Sequence, residues 1–269
     1  MLCISDISII IRAKDRFPIQ SIESLQESRL VETEIIVVGK WYDSNQSVNM
    51  NCIVIKTDAL MFQARFLGLE AVTSKKVLFL DSDQVVQPGL LDELVSIHTD
   101  MCMIPERSIN RNFTGKIMDM KRRYVENSFR FKPSPFVAVA PRFYSTDLLL
   151  KAFENIPESE LKTITQHEDS ILFHESWRIN SEISFSSKMI FDVDPGISVF
   201  MRKAFYYGKA NRVALKSGTL SREHLHLINS LDRDRKIVED GVGFNWGLLA
   251  DVIKAGPYVL GQLAGSFGE

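Results

Sequence analysis

Four short, largely β-branched apolar runs separated by amphipathic stretches constrain this chain most tightly. They are Ile7 to Ile11, Glu34 to Val38, Cys52 to Ile55 and Val77 to Leu80. Apolar runs without polar alternation read as strands buried on both faces, the habit of a parallel sheet. Between them, Pro18 opens a helical stretch with Ile22 and Leu25 on one face, proline being tolerated in a first helical turn. Asp58 is placed to cap a helix whose apolar residues Leu60, Ala64, Leu67 and Ala71 keep a 3.6-residue period. Pro88 starts another helix through about His98, and Met101 to Ile104 reads as a further short strand. Such alternation predicts an α/β fold: a Rossmann-like, mostly parallel sheet with helices on both faces. At 269 residues the chain has room for one large domain, or one domain and a small appendage.

The second half is less regular. Phe136 to Ala140 and Lys188 to Val193 read as strands, and Ser145 to Phe153, Glu168 to Arg178 and Ile197 to Arg212 as helices. From about Lys216 a polar helical stretch leads into the apolar but interrupted tail GVGFNWGLLADVIKAGPYVLGQLAGSFGE. The expected organisation is therefore a main domain over 1–215 and a C-terminal helical extension over 216–269. Asp251, Lys254, Pro257 and Gln262 break the tail, so it lacks the roughly 20 uninterrupted apolar residues of a transmembrane helix. Trp246, Phe244 and Tyr258 suit either a core-covering or oligomer-forming helix pair or a peripheral membrane contact through 241–269.

Charge excludes one class of partner. With 32 basic and 34 acidic residues and a net charge of −2, the chain has no electrostatic footprint for nucleic acid. Cys3, Cys52 and Cys102 are scattered and odd in number, which does not suggest a disulfide framework. The N-terminus lacks the basic start and small-residue cleavage site of a signal peptide. The expectation is a cytoplasmic protein, or one held at the inner face of the plasma membrane.

The chemistry concentrates in VLFLDSDQVVQPG, Val77 to Gly89. Residues two apart on an extended chain point the same way, so this strand delivers Asp81 and Asp83 to one spot at its carboxyl end, where open α/β sheets bind ligands. Two carboxylates suit a hard divalent cation, Mg²⁺ or Mn²⁺, whose coordination substrate phosphates complete. The plainer alternative is an exposed Asp-Ser-Asp turn.

Five segments now stand in order: ISIIIRAKDR, EIIVVG, ARFLG, VLFLDSDQVVQPG and the HED of His167 to Asp169. Together, over roughly residues 5 to 212, they resemble the family 2 glycosyltransferases of the GT-A fold. The resemblance implies a nucleotide-diphosphate sugar donor, UDP- or GDP-linked, across the strand ends. It implies donor contacts at Ala13, Asp15, Asp81 and Asp83; Arg65 in ARFLG is a further candidate donor contact, unless it is simply exposed on a helix flank. A Mn²⁺ or Mg²⁺ ion would bridge Asp83 and the diphosphate, with Asp81 near the ribose or the metal. Asp169 of the Glu168-Asp169 pair would be the general base for an acceptor hydroxyl, giving inversion at the anomeric carbon. The acceptor would be a glycan, a lipid-linked sugar or a protein.

The chemistry is consistent with this. Cleaving a sugar from a nucleoside diphosphate leaves charge on phosphate oxygen that a cation stabilises, and the attacking hydroxyl must lose a proton. Taken alone, two acids at a helix start also serve the helix dipole. Two departures from the family stand out. Gly39-Lys40-Trp41-Tyr42 replaces an acidic pair and a Gly-Ser that bind the base, leaving Trp41 or Tyr42 to stack on it or Asp43 to hydrogen-bond it, unless this is an ordinary aromatic loop. In IFDVDPGIS, relatives often carry a histidine; here Asp192 or Asp194 is the candidate third metal ligand. In MRKAFYYGKANR, Arg202 and Lys203 are placed to hold the donor diphosphate or a lipid phosphate, unless they form a plain solvated face.

Two other classes share parts of this signature. LFLDSDQVV also fits the opening string of haloacid-dehalogenase-like phosphatases, but those carry it on the first strand and need a later Gly-Asp-type metal motif. A non-catalytic or nucleotidyl-transferring GT-A relative is the other alternative; nucleotidyltransferases usually have a glycine-rich loop after the first strand, and RAKDRFP has no glycine.

Overall fold

The computed structural model describes residues 6–26, 33–41, 52–110, 112–136, 140–165, 167–194, 196–216, 218, 220–228 and 255–264. Two compact units interleave along the chain. The first comprises Met1–Glu106, Pro141–Ile156 and Glu175–Asp192, and the second Arg107–Ala140, Pro157–His174 and Val193–Glu269. The boundary expected near residue 215 falls inside the second unit.

The first unit is built on β1 (Ile7–Asp15), which pairs in parallel with β2 (Thr33–Trp41) from Ile7↔Thr33 to Asp15↔Trp41. β3 (Ile53–Lys56) adds in parallel beyond β2, and β4 (Lys76–Asp81) in parallel on the other side of β1, with Arg12 opposite Asp81. The crossovers are α1 (Ile19–Gln26) and α2 (Met61–Glu70). After β4 come β5 (Gln84–Val86), α3 (Leu90–Val95) and β6 (Met101–Met103). β7 (Glu106–Ser108) and α4 (Phe113–Phe131) follow in the chain, then β8 (Phe143–Ser145). With β9 (Ile183–Phe185), the central sheet has seven strands in the order β3-β2-β1-β4-β8-β6-β9. β8 runs antiparallel to both neighbours, so the sheet is mostly parallel, as the run pattern predicts. Ile7, Ile9, Ile11, Val37, Leu78 and Leu80 are buried in one cluster, each stabilising the fold by about 1.5–3 kcal/mol. β10 (Ile190–Asp192) pairs antiparallel with β5, Asp192 opposite Gln84.

Several sequence expectations shift. β2 runs on through Trp41 rather than stopping at Val38. Asp58 does not cap α2: that helix starts at Met61 with Leu60 before it, and Asp58 instead pairs with Lys40 at 2.6 Å on the surface. α3 ends at Val95, short of His98, with Gly89 at φ 78° before it. The strand read at Phe136 to Ala140 lies largely outside the described residues; the strand in this region is β8. The segment Lys188 to Val193 narrows to β10.

The second unit holds α4, a helix the sequence reading passed over. Asn112 caps it, its side chain accepting from the Gly115 amide at 2.7 Å. Only Thr114, Gly115, Ile117, Glu126 and Phe129 are buried along its 19 residues, and the helix is polar overall. α5 (Thr146–Glu154) belongs to the first unit and α6 (Glu158–Thr163) to the second. α7 (Glu168–Ile179) begins in the second unit, which also holds α8 (Ile197–Lys216). Two further helices are α9 (222–228) and α10 (255–264). No helix among the described residues is long and apolar enough to cross a membrane.

Candidate active site

Strand β4 ends on Asp81, the first acid of the Asp-Ser-Asp motif, and the chain surrounds it with guanidinium groups. Arg65 of α2 is only 2% exposed and reaches to 3.5 Å from Asp81 Oδ1. Arg142, just before β8, donates to Asp81 Oδ2 at 3.3 Å and through Nε to Glu106 at 2.7 Å. Arg12, opposite Asp81 on β1, adds a third positive charge. Burial alone pushes the Asp81 carboxyl upward, but Arg142, Arg65 and Arg12 outweigh it and hold the group below the usual carboxylate range. Glu106 and Asp81 in turn hold Arg142 protonated despite its burial. The sequence made Arg65 a donor contact; the structure places it in the core, over the Phe79 ring at 5.4 Å, with its charged end on Asp81.

Asp83 follows on the turn between β4 and β5 and is exposed to solvent. The next residue, Gln84, is 1% exposed and ties two segments together. Its side-chain oxygen accepts from the Asp81 amide at 2.9 Å, and its amide nitrogen donates to Asp192 Oδ1 at 2.6 Å. The β5–β10 pairing therefore brings Asp192 to the Asp-Ser-Asp turn. Asp194 differs: it lies in the second unit, 6% exposed, with its carboxylate clamped by both terminal nitrogens of Arg122 at 2.7 and 3.0 Å. Among the described residues, Asp81, Asp83 and Asp192 do not converge as three ligands on one point. Mg²⁺ and Mn²⁺ need less than that, since one or two carboxylates hold them while phosphate and water complete the shell.

At the ends of β1 and β2, Ala13 is buried and Asp15 exposed. Asp15 has φ 69°, a left-handed conformation uncommon for a residue with a Cβ. Gly39 lies opposite Ala13 with φ 139°, and a Cβ there would sit 1.9 Å from the Ala13 carbonyl oxygen. Only glycine lets the two backbones come this close. Trp41 is 5% exposed, packed on Phe17 with ring centroids 5.3 Å apart and covered by the Lys56 ammonium at 5.7 Å. Its indole N–H is buried with no hydrogen-bond partner among the described residues. Tyr42 and Asp43 lie outside the described residues.

In the second unit, His167 precedes α7 with φ 68°. It is followed by Glu168, 6% exposed, and by the more accessible Asp169, both in the first helical turn, where acids complement the dipole. Non-glycine left-handed residues thus stand at two predicted site segments, at Asp15 and beside Glu168-Asp169. Arg202 and Lys203 lie exposed on α8. His224 is buried and paired with the fully buried Glu160, which also accepts from the Ser221 amide at 2.5 Å. His174 packs edge-on against His224 and Phe136.

Sequence reasoning missed Arg12, Arg142, Gln84 and Arg122. Gln84 carried a usable signal, as a polar residue in an otherwise apolar QVV strand directly after the motif. Arg142 carried none, because its role arises from antiparallel pairing that sets its carbonyl on the Phe79 amide at 2.8 Å.

No family model and no curated protein matches the chain. Solved structures do. The chain is similar to S. aureus TarS with TM-score 0.52 and 18% identity over 81% of this chain, and it spans 41% of that one. Against TarS 1-349 the TM-score is 0.54 at 14% identity, covering 95% of this chain and 80% of the other. TarS 1-349 in complex with UDP-GlcNAc gives 0.52 at 16% identity, covering 81% and 69%. The fold is GT-A-like, a mostly parallel seven-strand sheet with a C-terminal helical part.

Proposed function

We propose that this chain is a metal-assisted, inverting glycosyltransferase using a nucleotide-diphosphate sugar, UDP-linked in preference to GDP-linked. The observation that carries the reading is the Asp81-Ser82-Asp83 turn at the carboxyl end of β4, with Asp81 fixed by Arg65 and Arg142. Its fold likeness to a protein crystallised with UDP-GlcNAc supports the choice of nucleotide.

In this reading Asp81 is a buttressed carboxylate that accepts from the donor ribose, and Asp83 is the principal ligand for Mn²⁺ or Mg²⁺. Asp192, oriented by Gln84, is the further ligand; Asp194, occupied by Arg122, is not. When bound, the cation neutralises charge developing on the leaving diphosphate. Ala13, Asp15 and Trp41 line the nucleoside side, where the buried indole N–H offers a donor. Asp169 takes the acceptor hydroxyl's proton as that oxygen attacks the anomeric carbon opposite the leaving group, while Glu168 holds the helix start.

Calorimetric titration of UDP, UDP-GlcNAc and GDP, each with and without Mn²⁺, tests the proposal. Metal-dependent binding of the uridine nucleotides, weakened at least tenfold by Asp83→Asn, is the expected outcome. Binding of none of them, or binding indifferent to metal and to Asp83, refutes the donor site. The phosphatase alternative gains no support, since Asp81, which would have to be its nucleophile, faces guanidinium groups and ends the fourth strand in the chain and not the first.

A further inference from the structure

Within the second unit, α8 and α10 meet backbone to backbone. A Cβ on Gly208 would lie 2.0 Å from the Tyr258 carbonyl oxygen, and one on Gly261 would lie 1.9 Å from that of Phe205. The contact uses the glycine side of each helix, and the opposite side of α10 is apolar and open to solvent. Val259, Leu260 and Leu263 are 50%, 59% and 50% exposed there, at spacings that share one helix face. On α8, Arg202, Tyr206, Lys209 and Val213 recur at i, i+4, i+7 and i+11, one stripe of the helix, and all four are exposed.

Charge identifies what this pair of helices meets. α8 carries five cations, Arg202, Lys203, Lys209, Arg212 and Lys216, and no acid in 20 residues. α10 has no charged residue at all, in a chain whose net charge is −2. A water-facing helix ordinarily mixes both signs and keeps its leucines inside. Open leucines with tyrosine and one-signed cations are instead the composition of a surface that settles at a lipid headgroup boundary.

We propose that the α8–α10 pair docks on an anionic lipid bilayer, with Val259, Leu260 and Leu263, on the side of α10 away from α8, inserting at the acyl boundary and Arg202, Lys203 and Lys209 of α8 reaching the lipid phosphates. Of the two phosphates that the sequence leaves open to Arg202 and Lys203, this assigns them the lipid one. The inference is independent of the donor-site reading, because it concerns a surface that binds without nucleotide.

Vesicle co-sedimentation of the full chain without nucleotide or metal tests it, comparing phosphatidylcholine vesicles with ones containing about one-third phosphatidylglycerol. Binding is expected only to the anionic vesicles, weakening with salt. Lys209→Glu should lower it by more than fivefold, at roughly fivefold per charge near the surface. Leu260→Asp with Leu263→Asp should lower it at least tenfold, and Val259→Ser by less, with the thermal midpoint unchanged in each. Failure to bind anionic vesicles overturns the proposal. So does vesicle binding that survives all three variants. Finally, a dimer by light scattering that these same substitutions dissociate would assign the face to a second copy of the chain instead.

Discussion

Replacing Arg142 with methionine keeps the aliphatic stem and removes the guanidinium that joins Asp81 to Glu106. The arginine is 11% exposed, and its bonds to Glu106 and Asp81 measure 2.7 and 3.3 Å. A hydrogen bond to a charged group contributes about 1.5–3 kcal/mol, and an abandoned buried charge costs at least as much. Glu106 and Asp81 keep 24% and 30% exposure, so water recovers part of their solvation, and the longer bond to Asp81 adds little. The net loss should be about 2 kcal/mol at neutral pH, or about 4–8 °C in Tm for a chain of this size. The loss must also depend on pH. Asp81's folded pKa is depressed, so its stabilisation is present above the unfolded value of about 3.9 and disappears as pH falls through the lower folded value. Without Arg142 that depression shrinks and the acid limb of the stability curve moves to higher pH. Differential scanning fluorimetry of both proteins from neutral pH down to about 3 should show the Tm gap narrowing as the carboxylates protonate. Glu106→Gln combined with Arg142→Met should recover part of the loss. A gap that is constant across the range, or strict additivity of the two substitutions, would refute an electrostatic role for Arg142.

Gly39→Ala places a Cβ 1.9 Å from the Ala13 carbonyl oxygen at φ 139°, so chemical denaturation should report a loss beyond about 3 kcal/mol, the upper range for single substitutions. Asp169→Asn should leave calorimetric nucleotide binding within twofold of the original while removing at least a hundredfold of transfer, the span of general-base contributions; retained transfer excludes Asp169. Burial drives the Tyr144 phenol upward, outweighing Arg65 and Arg142, which pull it down. That group favours folding fully below the unfolded tyrosine value of about 10, so stability should fall as pH rises above it, and Tyr144→Phe should flatten that alkaline limb.

The central sheet was legible because its strands are buried on both faces, which removes polar interruptions and leaves runs such as Ile7 to Ile11 plainly visible. Helix α4 was not, because it is polar overall and buries only five residues in 19. The placement of the candidate site's acids was also legible: Asp81 and Asp83 announce themselves by spacing at a strand end. Their counter-charges were not. Arg12 reaches Asp81 through parallel register, Arg142 through an antiparallel strand 61 residues away, and neither relation leaves a local trace. The different settings of Asp192 and Asp194 were equally invisible, since a glutamine 108 residues upstream bonds the first and Arg122 on α4 pairs with the second.

That glutamine has a consequence for assembly. A carboxamide has one accepting end and one donating end, and at position 84 the accepting end meets an N–H while the donating end meets a carboxylate. Inverting it would set like against like at both ends, asparagine would fall short of one partner, and glutamate would oppose Asp192 with its own charge. Both of its bonds close only with β10 paired to β5 in register, so the place of Asp192 beside the motif is tied to the correct pairing of a strand 108 residues further along the chain.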